Sequence, residues 1–375
     1  MTNRPLYLDH NATTPLLGEV LEAMQPFLTT HFGNPSSAHA YGREARHAVE
    51  QARESVAALV GAKASEVIFT SGGTEATALG LRGTLPLPLD AAHVISTTVE
   101  HPATARTVDA LQAEGVKVTR LGVDEHGQVS PDALTAALNS STRWFSLIHG
   151  HNETGVLQAL PALAAVTKRH QVLLHVDASQ SAGKVPLAMD ADGFELLTLA
   201  AHKLSGPKGV GALVVRSGVK LRSLQLGAGQ EGGLRAGTEN VASIVGFGAA
   251  CVAARRDLAE SSARLLSLRE QLIEALRAGV PGLVIAGERS ARLPNTVYAL
   301  FPGMSGASLL AKTPGLAAST GSACHDGHET PPQVLLEMKV PQALALGAVR
   351  LSLGRSTLPD DITSAAAQLI AAFKG

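Results

Sequence analysis

Lys203 stands where an apolar run, Phe194 to Ala201, gives way to a Gly/Pro turn at Ser205-Gly206-Pro207. The run has strand length, so the lysine is expected at a strand's carboxyl end. Open α/β sheets bind ligands at that end, and a partly desolvated ammonium there can lose its proton and attack a carbonyl as a Schiff-base former. Most lysines after a strand are ordinary solvated side chains, so the assignment rests on what accompanies this one.

Asp177 closes a second apolar run, Val172 to Val176. A carboxylate at the inner end of a buried strand needs a cation or strong donors, and a protonated pyridine nitrogen is such a partner; the same residue also suits the cap of a turn. Gln180, three residues on, can reach the phenolic oxygen of the same ring. In Thr70-Ser71-Gly72-Gly73-Thr74-Glu75 the glycines allow close approach and the next helix's free N–H groups face a phosphate, although Thr74 and Glu75 also fit a plain capped first turn. This stretch is not a Walker A loop and lacks the G-x-G-x-x-G spacing, so a single phosphate monoester fits it better than a nucleotide. Schiff-base lysine, ring-nitrogen acid and phosphate terminus together describe a pyridoxal phosphate site. His101, after the strand near Thr98, can stack on such a ring and move protons. Asn152 can hydrogen-bond the ring oxygen, and its neighbours His149 and His151 have no third ligand in view, so no metal is expected.

Of the two cysteines, Cys251 lies in apolar helical text and reads as core. Cys324 lies in a loop of small and polar residues between Ala317 and Pro332. It can be a thiolate nucleophile, a chance surface thiol or, with His325 and His328, a metal ligand.

The elements that must position these residues alternate. Glu66–Thr70, His93–Thr97, Val116–Leu121, Trp144–His149, Val172–Asp177, Phe194–Ala201 and Gly211–Val215 are strand candidates. Helical patterns fall at 17–28, 39–60, 102–114, 131–139, 161–170 and 240–278, the second capped by Ser36 or Ser37 and ended by Gly61. That order predicts an α/β fold with a mostly parallel, doubly wound sheet. After Pro281 shorter strands and helices predict a smaller C-terminal α/β domain.

The 375 residues exceed what one core usually supports. Lys and Arg number 31 against 32 Asp and Glu, so no basic field argues for nucleic acid or an anionic membrane. No apolar span of about 18 residues and no leader pattern occur, and two cysteines suit a reducing compartment, so a cytoplasmic protein is expected.

Taken together, TSGGTEATALG, VEHPAT, HNETGVLQ, HVDASQSAGK, AAHKLSGPKGVGAL, LRAGTEN, STGSAC and VRLSLGR, preceded by YLDHNATTP and FGNPSSAH, resemble in order and spacing the cysteine desulfurases. These form the NifS/IscS-like branch of the class-V aminotransferases, with the fold-type-I transferase architecture of pyridoxal phosphate enzymes. The resemblance implies a large cofactor-binding domain over 15–260 and a small domain from 1–14 and 261–375. It implies that Lys203 holds pyridoxal 5'-phosphate covalently, Asp177 pairs with its ring nitrogen and His101 stacks on it. Asn152 and Gln180 would contact the ring oxygen; Gly73, Thr74, His202 and, across a homodimer, Thr238 of the partner subunit would bind the phosphate. Arg350 would hold the substrate carboxylate, with Asn152, Ala12 and Thr13 beside the substrate. Cys324 would take the sulfur of L-cysteine as a persulfide, leaving L-alanine, and pass it to an acceptor protein for iron–sulfur cluster assembly or thiolation. A selenocysteine lyase, an aminotransferase-like enzyme and a cofactor-poor scaffold are the alternatives.

Two departures from the family pattern stand out. Ala200 replaces a usual phosphate-binding serine, a lost hydroxyl that corresponds to about tenfold to a hundredfold in cofactor affinity. His325, Asp326 and His328 follow the cysteine where small hydroxyl residues are usual.

Overall fold

The computed structural model describes residues 4–321, 324–325 and 328–375; the side chains of 324, 325, 328 and 329 lie outside that description. Fourteen strands occur among the described residues: β1 (Leu6–Tyr7), β2 (Val67–Thr70), β3 (His93–Thr97), β4 (Lys117–Leu121), β5 (Thr142–Ile148), β6 (Leu173–Asp177), β7 (Leu196–Ala200), β8 (Gly211–Val215), β9 (Val284–Ile285), β10 (Thr296–Leu300), β11 (Leu316–Ala317), β12 (Cys324–His325), β13 (His328–Glu329) and β14 (Ala348–Ser352). Seven form one sheet in the order β2-β8-β7-β6-β5-β3-β4. Pairing from β7 across to β4 is parallel, and only β8 runs against both of its neighbours. The strands β5, β6, β7 and β8 are buried almost throughout, as expected of a sheet covered on both faces. A smaller antiparallel sheet, β14-β10-β9, follows.

Two large apolar clusters result. The helix Val241–Gly279 contributes Ile244, Phe247, Ala250, Cys251 and Ala254 to one. Its second half contributes Leu265, Leu268, Leu272, Ile273 and Leu276 to the other, together with β10, β14 and the helix Pro359–Lys374. Cys251 is fully buried, as its apolar setting predicts, and burial pushes its thiol pKa far up.

The helix Ala40–Leu59 ends at Gly61, which takes φ of +63° as expected. Its start differs from expectation. His39 caps it, with Nδ1 accepting from the Gly42 N–H at 3.4 Å. Ser36 and Ser37 are instead drawn into a turn organised by Asn34, whose side chain accepts from Ser36 N–H and whose carbonyl accepts from Ser37 N–H. No helix among the described residues is long and apolar enough to cross a membrane.

Candidate active site

A cavity of about 350 Å³ opens at the carboxyl ends of the parallel strands. Asp177 is the last residue of β6, and Lys203 lies three residues beyond the end of β7. Gly73 and Thr74 begin the helix Gly73–Gly83, and His101 caps the helix Pro102–Ala113. Each follows a strand, and because β8 is antiparallel to both β2 and β7, strands β2, β3, β6 and β7 all run the same way and bring these residues to one rim. Asn152, Gln180, His202, Arg350 and Ala12 line the same cavity.

The floor depends on Asn11. Its backbone carbonyl accepts from Lys203 Nζ at 2.5 Å and from Gln180 Nε2 at 2.8 Å. Ala12 O accepts a second bond from Lys203 at 2.9 Å. The Asn11 amide is itself satisfied by Thr296 Oγ1, Asn152 O and Asn295 Nδ2. Burial, helped by the Arg350 cation and opposed by Asp177 and Asp9, lowers the Lys203 pKa to about 8. A lysine so placed holds a substantial neutral fraction near neutral pH, the state in which an amine attacks a carbonyl.

At the opposite end the cavity is built for an anion. A Cβ on Gly73 would come within 3.2 Å of Ser179 Oγ and 3.5 Å of Ala200 Cβ, so a side chain there would fill the cradle. The free N–H groups of the helix start face it. His202, whose Nδ1 lies 3.1 Å from Thr13 Oγ1, is held neutral, its pKa lowered to about 4 by burial and then by Lys203 and other nearby lysines. Thr13 thus meets the cavity through His202 rather than lining it. His101 Nδ1 accepts from the Ala103 N–H at 3.1 Å, which leaves Nε2 to carry the proton of the neutral ring. Desolvation lowers its pKa while Asp177 opposes the shift. An amine, an acid, an imidazole, an amide and an anion cradle in one cavity match the aldehyde, ring nitrogen, ring face, ring oxygen and phosphate of pyridoxal phosphate.

Arg350 of β14 closes one side. It pairs with Asp9 at 2.7 Å and donates to Asn152 O at 3.1 Å, while its Nε has no hydrogen-bond partner among the described residues. Asp9 and Ser319 meet because the parallel pairing of β1 with β11 puts residue 6 opposite 316 and 7 opposite 317, and Ser319 Oγ donates to Asp9 at 3.0 Å. The Tyr298 hydroxyl donates to Glu153 at 3.3 Å and Thr320 O at 3.1 Å, just before the backbone reaches Gly321 at φ of +74°. Beyond it, β12 pairs antiparallel with β13, Cys324 opposite Glu329. The Cys324, His325 and His328 side chains lie outside the described residues, as does all of Asp326. Thr238 is exposed and does not line the cavity; its segment is tied down by Arg235, which pairs with Glu75 at 2.8 Å.

His149 and His151 form no metal cluster among the described residues. His151 Nδ1 accepts the N–H groups of Glu153 and Thr154 at 3.2 Å, so the imidazole organises the turn that presents Asn152. The residues that sequence reasoning passed over are Asp9, Asn11, Glu153, Ser179 and Lys184. Asn11 carried a signal: a carboxamide in a segment packed into an apolar chain must find several partners.

The family description "Aminotransferase class-V" matches residues 6–364. A curated relative named "Cysteine desulfurase IscS" from Dictyoglomus turgidum is 42% identical over 362 residues, 96% of this chain and 92% of that one. A solved NifS-like protein superposes with a TM-score of 0.91 at 33% identity, covering 98% of both chains. A solved chain described as SspA in complex with cysteine gives a TM-score of 0.83 at 32% identity, over 94% of this chain and 99% of that one. With its profile matched almost end to end and its cavity assembled at the strand ends, the chain belongs to the class-V aminotransferase family.

Proposed function

We propose that this chain is a pyridoxal phosphate-dependent cysteine desulfurase acting on free L-cysteine, with its chemistry in the 350 Å³ cavity. The observation that carries the reading is the convergence of Lys203 and Asp177 on one cavity in a chain about 40% identical to curated cysteine desulfurases. When bound, the cofactor supplies an electron sink for carbanion character at the substrate α-carbon. The protein's residues do the rest. Lys203 offers a neutral amine for covalent attachment, then a base positioned for the α-proton. Asp177 keeps the ring nitrogen protonated, and His101 covers the ring and relays protons. Gly73, Thr74 and His202 take the phosphate, while Asn152 and Gln180 donate toward the ring oxygen. Arg350, whose Nε is uncommitted among the described residues, receives the substrate carboxylate in the two-pronged geometry of guanidinium.

Cys324 thiolate attacks the sulfur of the substrate. The carbon–sulfur bond breaks, a sulfur–sulfur bond forms, and the electron pair left on carbon takes a proton to give L-alanine. The persulfide then leaves by thiol exchange to an acceptor protein. A homodimer, in which Thr238 of the partner subunit adds to the phosphate site, and a cytoplasmic location complete the reading. So does a division into 15–260 and 1–14 plus 261–375, supported by the way Val241–Gly279 splits its buried face between two clusters.

The test is stoichiometric release of L-alanine and sulfide from L-cysteine by the purified, cofactor-loaded protein in the presence of a reducing dithiol, which reduces the persulfide and frees its outer sulfur as sulfide. Lys203→Ala should abolish both. Cys324→Ser should abolish desulfuration while leaving the cofactor's visible absorbance intact; desulfuration that survives Cys324→Ser removes the persulfide step and favours a lyase.

A further inference from the structure

Behind the cavity floor lies a second amine without an assigned role. Lys184 does not line the main cavity. It shares with His10 and Lys203 the wall of a small cavity of about 50 Å³ on the far side. It gets there because Gly183 takes φ of +68°, a conformation that folds the chain back after β6 and leaves no room for a side chain: a Cβ at 183 would come within 2.5 Å of Leu204 Cδ2 and 2.9 Å of Ala254 Cβ. Lys184 Nζ then donates to Gln180 Oε1 at 2.9 Å, four residues back.

This contact decides how Gln180 faces its ligand. The Asn11 carbonyl can only accept, so the end of the amide that meets it at 2.8 Å is the NH2 group. The other end is therefore the oxygen, and Lys184 holds it. One N–H of Gln180 is committed to Asn11, and the second remains for the cavity that Gln180 lines. Without the amine, a buried oxygen loses its partner, and the amide gains by rotating it toward any donor in the cavity, the cofactor included.

We propose that Lys184 is a positioning residue that locks the Gln180 amide so that an N–H, not an oxygen, points at the ring oxygen of the bound cofactor. The assignment rests on the cofactor reading given above. The charges acting on Lys184 are those of Lys203 and Arg350, and with burial they bring its pKa down to about 7; His10 lies close enough to feel Lys184 in turn.

The test is the pH midpoint of the bound cofactor's visible absorbance in holoenzyme. Losing a hydrogen bond to the ring oxygen should move the midpoint by about half to one unit in Gln180→Ala. Lys184→Met should move it in the same direction by a similar amount, and the double variant no further than Gln180→Ala alone. An unmoved midpoint in Lys184→Met overturns the proposal, and so does a shift that adds in the double variant, because charge alone would then explain it. Should Lys184→Met not fold, Gln180→Glu keeps an acceptor for Lys184 but has no N–H for the cavity. It also sets a negative carboxylate against the Asn11 carbonyl, so its midpoint should move in the same direction as that of Gln180→Ala and at least as far, and a parent-like midpoint overturns the assignment. A parent protein that develops no band overturns the cofactor reading itself, whereas a band indifferent to residue 184 overturns only the role of Lys184.

Discussion

The depressed pKa of Lys203 makes a quantitative prediction about how the protein acquires its cofactor. An ordinary lysine at 10.5 has roughly one neutral amine in three thousand at pH 7, whereas a pKa of about 8 leaves roughly one in eleven, a gain of about 300-fold in the reactive form. Burial is the largest cause and the Arg350 cation the next. Covalent capture of the aldehyde by apoprotein, followed by stopped-flow absorbance, should therefore speed up about tenfold per pH unit from about pH 6 and level off near pH 8. Arg350→Gln removes a neighbouring positive charge that disfavours the ammonium, so its plateau should begin at higher pH. A parent rate that still climbs tenfold per unit above about pH 9.5 would refute the desolvated-amine argument, because the lysine would then be titrating like a solvated one.

Three further outcomes can be measured. Ala200→Ser places a hydroxyl at the anion end, beside Gly73, and should tighten cofactor binding by about tenfold or more in equilibrium titration of apoprotein, whereas an unchanged Kd would mean that Ser179 or His202 already supplies the contact. Burial raises the Glu153 pKa to about 7 from 4.5, so the folded state holds a proton that the unfolded state releases; that stabilisation is complete below about pH 4.5 and is lost as pH rises through about 7. Glu153→Gln should accordingly flatten the decline of melting temperature across that window relative to the parent. Gly183→Ala should cost about 1–3 kcal/mol in denaturant unfolding, from the positive φ together with the Leu204 and Ala254 contacts.

The sheet was legible because the central parallel strands are short, mainly apolar stretches bounded by turn residues; the expected Val172–Asp177 and Phe194–Ala201 differ from β6 and β7 by only one or two residues at their ends. The residues at the strand ends were legible for the same reason, since topology alone carries Asp177, Lys203 and His101 to one rim. The supporting bonds were not. Asp9 meets Arg350 across 341 positions and Asn11 meets Thr296 across 285, and no local periodicity encodes such pairings. The misplaced helix cap has a local cause: two serines before a helix are good caps in isolation, but Asn34 competes for their backbone N–H groups and His39 takes the vacated role.

The carbonyl of Asn11, which accepts from both Lys203 and Gln180, has a consequence for biosynthesis. The segment that carries it is anchored through Asn11 N–H to Ser352 Oγ and through β1 to β11. During translation the segment around Asn11 must therefore wait for a residue made 341 positions later before it settles, even if the strands between them have already collapsed. Chains that stop short of residue 352 should leave Lys203 without its two anchored carbonyl acceptors and should load cofactor more slowly than chains that include it.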